Sequence, residues 1–130
     1  MYNHKKVLVT GANGFIGRNL CAFLKEKGYF VRGAVRNNVR DVSGVDEYIQ
    51  VGDINESTDW QQALAGVDTV IHLAARVHIM NDPASNPVEA FRKVNVLGTE
   101  RLARKRSWWR SAQYPRPCPV AAACGRLRPA

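Results

Sequence analysis

Apolar residues follow two different patterns that alternate along most of the chain. Short apolar runs predict buried strands, which we place at residues 7–9, 29–35, 48–51 and 69–73. Between these runs, apolar residues recur every three or four positions and predict helices at residues 15–27, 58–65 and 88–104. Strands that alternate with helices form parallel sheets with right-handed crossovers. The pattern therefore predicts an α/β fold, a doubly wound parallel sheet that ends after about four strands.

Local signals mark the ends of the predicted helices. Gly28 is expected to end the first helix and Gly66 the second, because glycine readily takes the left-handed conformation that closes a helix. Ser57 is expected to cap the start of the second helix. The apolar repeat of the first helix consists of Phe15, Ile16, Leu20, Phe23 and Leu24. In the third helix, the residues expected to face the sheet are Phe91, Val94, Leu97 and Leu102.

The order of the strands decides where a ligand would bind. With the order 3-2-1-4, the crevice of the sheet lies at the carboxyl ends of the first and fourth strands. The strand at residues 69–73 would also form an edge, since no fifth strand is predicted. An apolar edge strand offers unpaired N–H and C=O groups to another chain, so we expect self-association through this edge.

The first strand leads into a glycine-rich stretch, Thr10-Gly11-Ala12-Asn13-Gly14-Phe15-Ile16-Gly17. Gly11 and Gly14 allow the backbone to turn and to approach a ligand closely, and Gly17 allows close packing of the helix. The unpaired N–H groups at the start of the helix favour an anion, with about 0.3–1 kcal/mol from the helix dipole alone. A strand, a glycine turn and a helix in this order predict binding of a dinucleotide pyrophosphate, here with the spacing G-x-x-G-x-x-G.

Charge divides the chain into two parts. Residues 1–103 hold 12 of the 19 Lys and Arg and all 11 Asp and Glu, whereas residues 104–130 hold 7 basic residues and no acidic one. The second part also contains four of the six prolines and no hydrophobic periodicity. We predict that residues 1–103 are the N-terminal part of a dinucleotide-binding domain and that residues 104–130 are an irregular basic tail outside the native fold. This tail is interpreted as a frameshifted or otherwise altered C-terminus, or alternatively as a disordered extension.

The cysteines and the apolar runs bear on the environment of the protein. Cys21 lies on the apolar face of the first helix and is expected to be a core thiol in a reducing compartment, and no Cys or His cluster has metal-ligand spacing. The start of the chain has too few apolar residues for a signal-peptide core, and no run approaches the roughly 20 apolar residues of a membrane span. We therefore expect a cytoplasmic protein without a bound metal or a membrane partner.

Four segments stand in the order and spacing of motifs from a known family. They are Thr10 to Gly17, Gly52-Asp53-Ile54, Val70-Ile71-His72-Leu73-Ala74-Ala75 and Asn95-Val96-Leu97-Gly98-Thr99. Over residues 5–103 the chain resembles the extended short-chain dehydrogenase/reductase superfamily, and within it the epimerase/dehydratase family of UDP-glucose 4-epimerase-like proteins. The resemblance implies a Rossmann-like domain that binds NAD(P), in proteins that move a hydride at a sugar carbon of a nucleotide-sugar.

The resemblance also implies roles for individual residues. The pyrophosphate would be held, largely by backbone, at Gly11, Gly14, Phe15, Ile16 and Gly17. Asp53 would accept a hydrogen bond from the adenine amino group, with Ile54 beside the ring. The nicotinamide and its ribose would lie over Leu73, Ala74 and Ala75, and Asn95 would lie near the catalytic group. Alternatively, Asp53 ends a strand and caps a turn, and Asn95 is only a polar helix residue. His72 is expected to be a hydrogen-bonded core residue rather than a catalyst.

The residues after the second strand bear on the ribose 2′ position of the cofactor. An acidic residue about 20 positions beyond the glycine loop would bind the 2′-hydroxyl of NAD, but the chain has Arg36-Asn37-Asn38 there. Arg36 could pair with the 2′-phosphate of NADP, since a guanidinium matches phosphate geometry. Arg36 could equally be a solvated surface charge. This position favours NADP and the family resemblance favours NAD, so the prediction is NAD(P).

The catalytic residues of the family have no counterpart in suitable positions. The family uses a Tyr-x-x-x-Lys pair after a fifth strand, and the only such spacing here is Tyr2 to Lys6, ahead of the first strand. No catalytic residue is therefore predicted, and the chain alone is expected to be inactive. Two alternatives stay open: a non-catalytic dinucleotide-binding module, and nucleic-acid binding by the basic tail with Trp108 and Trp109, which we consider the weakest.

Overall fold

The computed structural model describes residues 4–76, 85–113 and 120–122, with side chains as far as residue 106. The elements are, in chain order, β1 Lys6–Thr10, α1 Phe15–Glu26, β2 Phe30–Val35, β3 Glu47–Gln50, α2 Gln61–Leu64, β4 Thr69–His72, α3 Pro87–Arg92, a π-helical turn Lys93–Gly98, α4 Thr99–Gln113 and β5 Val120–Ala122. All neighbouring strands are parallel, in the order β3-β2-β1-β4-β5. The predicted α/β class and the strand order 3-2-1-4 are confirmed.

The central strand β1 is buried on both faces, as expected for a parallel sheet covered by helices. Val7 and Val9 belong to the core cluster that contains Cys21 and Leu24 of α1. Leu8 points to the other face, where the cluster includes Trp60, Leu64 and Leu102. Two apolar layers therefore hold the sheet, and they fix the carboxyl ends of its strands relative to the helices.

Helix α1 begins and ends close to the predicted residues, but it buries a narrower face than its apolar repeat predicts. Its buried residues are Gly17, Cys21 and Leu24. Gly28 has φ +85°, and the N–H groups of Gly28 and Tyr29 donate to the carbonyls of Lys25 and Leu24, which closes the helix in a Schellman motif. Cys21 is confirmed as a core thiol, and burial raises its pKa to about 11.

Three large apolar residues of α1 lie on its outer face instead of in the core. Phe15 is 88% exposed, Ile16 63% and Phe23 53%. The reason is geometric, because close contact of Gly17 with the preceding loop turns the face that contains Gly17, Cys21 and Leu24 toward the sheet. The first two of these exposed residues stand at the start of the helix.

The second helix is shorter than predicted, and Ser57 does not cap it. Helix α2 spans only Gln61–Leu64, and the N–H of Gln61 donates to the Asp59 carboxylate. Upstream, the Ser57 N–H donates to Asn55 Oδ1, and Thr58 Oγ1 accepts from the Asn55 N–H. These side chains bind nearby backbone groups and hold residues 55–58 in turns, which compete with a helix.

The third predicted helix is a continuous helical run that changes its hydrogen-bond pattern in the middle. Asn86 caps α3 by accepting from the Glu89 N–H, with Pro87 in the first turn. The π-helical turn then leads into α4, which continues past the predicted end at residue 104 to Gln113. Of the four residues predicted to face the sheet, Leu102 is fully buried and Phe91, Val94 and Leu97 are half-buried. In the described part of the chain, no helix is long and apolar enough to cross a membrane.

The predicted boundary at residue 103 does not coincide with the end of a structural element. Arg106 is buried and donates to the Asp68 carbonyl at 2.7 Å, so α4 packs on the fold beyond that boundary. Strand β5 pairs with β4 through Val70–Val120, Ile71–Ala121 and His72–Ala122. The expectation of an unpaired β4 edge is therefore wrong, although self-association itself stays a prediction. Trp108 and Trp109 lie outside the residues whose side chains are described, as do the proline-rich residues 115–119, and the origin of the tail stays a prediction.

Candidate functional site

The carboxyl ends of the parallel strands meet at one edge of the sheet, and the predicted site residues follow these ends. Gly11 comes directly after β1, Arg36 after β2, and Leu73 after β4. The ends of β1 and β4 touch: Gly11 has φ +67°, and a Cβ placed on it would lie 2.9 Å from the Ala74 backbone nitrogen. A side chain at position 11 would therefore push the two strand ends apart.

The three glycines of the loop differ in what surrounds them. A Cβ on Gly17 would lie 2.1 Å from the Gly11 carbonyl oxygen, so Gly17 is required for close packing of α1 on the loop. A Cβ on Gly14 would meet only the Gly11 oxygen, at 3.3 Å, and Gly14 has an ordinary φ of −75°. A side chain at position 14 would therefore require the Gly11 oxygen to shift by a few tenths of an ångström, a much smaller conflict than at Gly17, and glycine there leaves room in front of the helix.

The start of α1 presents N–H groups without a capping side chain. Gly14 donates to the Gly11 carbonyl, and the first bond of the helix runs from the Arg18 N–H to the Gly14 carbonyl. Helix geometry leaves the N–H groups of Phe15, Ile16 and Gly17 without intrahelical acceptors. Among the described residues no side-chain cap or first-turn acidic residue occupies this end. Such an end attracts an anion through the N–H groups and the helix dipole.

Arg36 and Asp53 form an ion pair at the far side of the same edge. Arg36 Nε lies 2.6 Å from Asp53 Oδ1, and the side chains are 73% and 68% exposed. Parallel pairing of β2 with β3 brings the two residues together although 17 positions separate them. The groups predicted to bind the ribose 2′ position and the adenine ring therefore contact each other, and both are accessible to a ligand.

Asn95 joins the π-helical turn to the segment that follows β4. Its Oδ1 accepts from the Arg76 N–H and its Nδ2 donates to the Arg76 carbonyl, both at 2.8 Å. This two-sided contact fixes the backbone one residue beyond Leu73, Ala74 and Ala75, which are half-buried. Ile54 packs on the same turn, since a Cβ on Gly98 would lie 2.5 Å from Ile54 Cγ2.

His72 is confirmed as a hydrogen-bonded core residue. Its Nδ1 lies 2.6 Å from Thr10 Oγ1 and its Nε2 lies 3.1 Å from Thr99 Oγ1. Burial lowers the pKa of His72 below its ordinary value of 6.5, because an imidazolium cation is poorly solvated there.

Several residues that hold the site or the surrounding fold have no role in the sequence-based prediction. Thr10 and Thr99 stand inside the motifs but carry no distinctive spacing of their own. Arg32 is buried in β2, where its Nη1 donates to the carbonyls of Gln62, Ala63 and Ala65 and its Nε pairs with Glu47 at 3.0 Å. A charged residue within an apolar strand was the available signal, since such a residue needs partners when it is buried.

The arrangement fits the pyrophosphate of a dinucleotide. The uncapped helix start offers N–H donors, and Gly14 leaves the space before them open. The strand ends at Gly11 and Ala74 form the floor, while the exposed Arg36 and Asp53 side chains lie at one side. Across the described ranges, no group of three or more His, Cys, Asp or Glu side chains could hold a metal ion.

Comparisons with known proteins agree with this geometry. The model of the NAD-dependent epimerase/dehydratase family matches residues 7–106. The UDP-glucose 4-epimerase of Vibrio cholerae is 42% identical over 102 residues, which cover 78% of this chain and 30% of that protein. A 3-beta-hydroxysteroid dehydrogenase of Mycolicibacterium neoaurum is 38% identical over 101 residues, covering 75% of this chain and 27% of that protein.

A solved structure extends the comparison to the fold. MoeE5 in complex with UDP-glucuronic acid and NAD has a TM-score of 0.62 and 34% identity, covering 76% of this chain and 31% of that one. The chain thus spans about a third of the length of the proteins it matches. The family model covers well over half of the chain, and the predicted resemblance is confirmed: the chain belongs to the NAD-dependent epimerase/dehydratase family.

Proposed function

We propose that this chain binds NAD(P) at the carboxyl edge of its sheet, as the dinucleotide-binding part of an epimerase or dehydratase that acts on a nucleotide-sugar. The observation on which this rests is the uncapped start of α1 beside Gly14, where N–H donors face open space. The pyrophosphate would be held by the backbone of Gly11, Gly14, Phe15, Ile16 and Gly17. The bound nicotinamide would supply the hydride acceptor, and this chain would position it.

The remaining predicted contacts follow from the same placement. The nicotinamide and its ribose would lie over Leu73, Ala74 and Ala75, a segment that Asn95 holds through Arg76. The adenine amino group would donate to Asp53, with Ile54 beside the ring; Ile54 packs against Gly98 of the π-helical turn. These roles are supported by the position of each residue at the carboxyl edge.

The preference between NAD and NADP depends on the ion pair between Arg36 and Asp53. Arg36 is exposed at the place where strand β2 ends, so its guanidinium could pair with a 2′-phosphate, but the phosphate would have to replace the Asp53 carboxylate as its partner. MoeE5, by contrast, has NAD in its solved complex. Arg36→Asp should shift the ratio of the two affinities toward NAD by about tenfold, because the carboxylate repels a 2′-phosphate and can accept from a 2′-hydroxyl. An unchanged ratio would mean that Arg36 is only a surface charge.

We also propose that the substrate class is a nucleotide-sugar. A protein named for a nucleotide-sugar and a protein named for a steroid match nearly the same share of this chain, 78% and 75%. The matched region is therefore a better guide to the cofactor than to the substrate. The higher identity to UDP-glucose 4-epimerase, 42% against 38%, favours a nucleotide-sugar. We also propose that the chain does not turn over substrate alone, since Tyr2 and Lys6 are its only Tyr-x-x-x-Lys pair. Turnover of a UDP-sugar by the 130-residue chain would contradict this point.

Calorimetric titration of the chain with NAD⁺ and NADP⁺ tests the binding proposal. We expect saturable binding of at least one of them, and loss of that binding in Gly14→Val, because the branched side chain would occupy the space before the helix. Gly66→Asn serves as the control, since it changes a glycine of φ +70° ahead of β4, at the opposite edge of the sheet. Asparagine tolerates positive φ, so this variant should bind normally.

Equal affinities of the wild-type chain and a folded Gly14→Val variant would place the ligand elsewhere.

A cytoplasmic location is part of the proposal and is supported by the free, buried thiol of Cys21. A membrane partner, a metal or a nucleic acid has no part in the proposed function.

A further inference from the structure

Three polar side chains connect β1, β4 and α4 behind the proposed crevice. His72 and Thr10 are fully buried, and they stand opposite each other in the paired strands. The imidazole reaches Thr10 on one side at 2.6 Å and Thr99 on the other at 3.1 Å. Polar groups in such a place are costly unless every donor finds an acceptor, so the positions of the protons can be deduced.

The Thr10 hydroxyl has one proton and two acceptor positions. Its oxygen accepts from the Leu73 N–H at 3.0 Å and from the Ala74 N–H at 3.2 Å. Both acceptor positions are then used, and the hydroxyl proton is left for His72 Nδ1. The nitrogen Nδ1 must therefore be unprotonated.

The Thr99 hydroxyl determines the other side of the ring. It donates its proton to the Asn95 carbonyl at 2.8 Å, so its oxygen can only accept from His72. The ring nitrogen Nε2 must then bear the proton. Burial, which lowers the pKa of His72, agrees with a neutral ring.

We propose that His72, as the neutral Nε2–H tautomer, is a positioning residue for the dinucleotide crevice. Through Thr10 it holds the N–H groups of Leu73 and Ala74 against the glycine loop, and through Thr99 it reaches the turn whose Asn95 holds Arg76. The ring thereby sets the spacing between the two strand ends on which the ligand would lie. This inference rests on the proposed function, because it assumes that a dinucleotide binds there.

Two substitutions separate the two sides of the ring. In His72→Asn the side-chain oxygen can take the place of Nδ1 and accept from Thr10, whereas in His72→Gln the longer amide can take the place of Nε2 and donate to Thr99. His72→Leu removes both hydrogen bonds. Val70→Ala is the control, because it weakens the same strand on the same face without touching the hydrogen bonds.

Dinucleotide affinity is measured for the variants that circular dichroism shows to be folded. The expected ranking of the affinities is one that packing alone would not produce. We expect His72→Gln and His72→Leu to bind about tenfold more weakly, and His72→Asn and Val70→Ala to stay within about threefold of wild type. Leucine and glutamine are closer to histidine in size than asparagine is. If His72 only filled space, His72→Leu and His72→Gln would therefore bind the dinucleotide more tightly than His72→Asn. That reversed ranking would overturn the proposal.

Nitrogen-15 NMR of the imidazole decides the tautomer without any ligand. The expected signal is a protonated Nε2 with a slowly exchanging proton and an unprotonated Nδ1, and a protonated Nδ1 would overturn the proposal. If wild type bound neither NAD⁺ nor NADP⁺, the proposed function would fail separately. The amide signals of Gly11 and Ala74 would then decide the positioning role: displacement in His72→Gln but not in His72→Asn supports it, and equal displacement contradicts it.

Discussion

Replacing Gly17 with alanine should destabilise the protein although alanine is the better helix former. The new Cβ would lie 2.1 Å from the Gly11 oxygen and 2.8 Å from the Ala12 oxygen. Both contacts are with backbone, which cannot rotate away as a flexible side chain can, so the loop or the helix must move by nearly 1 Å.

The magnitude follows from two opposing terms. Overpacking of this kind costs about 3 kcal/mol, and the higher helix propensity of alanine returns about 1 kcal/mol. The free energy of unfolding should therefore fall by about 2 kcal/mol, which corresponds to a decrease in Tm of about 8 °C for a domain of this size.

Urea denaturation followed by circular dichroism measures this difference. Ala22→Gly, at an exposed position of the same helix, isolates the propensity term and should cost about 1 kcal/mol. If Gly17→Ala proved as stable as wild type, or more stable, the close contact between α1 and the glycine loop would be refuted.

Three further predictions concern stability and association. Arg32→Leu should lower the free energy of unfolding by about 3 kcal/mol, because it leaves Glu47 and the end of α2 without their buried donor. Arg36→Leu, at an exposed ion pair, should change the free energy of unfolding by less than about 0.5 kcal/mol, and denaturation of both variants checks this difference. Stability should fall in two steps on acidification, and denaturation across pH should detect them. The first begins below pH 6.5, where unfolded His72 takes up a proton that the buried ring resists, and it should vanish in His72→Gln. The second step begins below pH 3.8. Partial burial raises the pKa of Asp46, but hydrogen bonds from Lys25 and the Val31 N–H lower it overall, so the Asp46 carboxylate ceases to stabilise the fold as the pH falls below 3.8. Deleting residues 114–130 should expose β4 and increase concentration-dependent association in sedimentation relative to the full chain, and an association state equal to that of the full chain would contradict a role for β5 in covering that edge.

The bounds of the first four strands agree with the sequence-based prediction to within about two residues. Strands β1, β2 and β4 contain apolar runs that are wholly or partly buried, whereas β3, with the sequence Glu47-Tyr48-Ile49-Gln50, is only partly buried. The glycine loop could be predicted as well, since Gly11 and Gly17 meet local backbone requirements and Gly14 leaves space in front of the helix. Strand β5 was missed because it is only three residues long and follows a segment of different composition. Helix α2 was predicted too long because side chains of Asn55 and Thr58 bind the backbone, and this competition has no periodic pattern.

The parts of the site that depend on distant contacts were not predictable in the same way. The ion pair between Arg36 and Asp53 requires the register of β2 against β3. The π-helical turn and its contact from Asn95 to Arg76 require packing between segments 19 positions apart. Residue roles could be assigned from motifs, but the partners of each side chain emerge only when the sheet is assembled.

Amide NMR during titration with NAD⁺ or NADP⁺ would show directly whether a dinucleotide binds at the start of α1. The largest shifts should fall on residues 11–17 and 73–75, and they should saturate together. Saturating shifts confined to other regions, or no shifts with either dinucleotide, would contradict binding at this site.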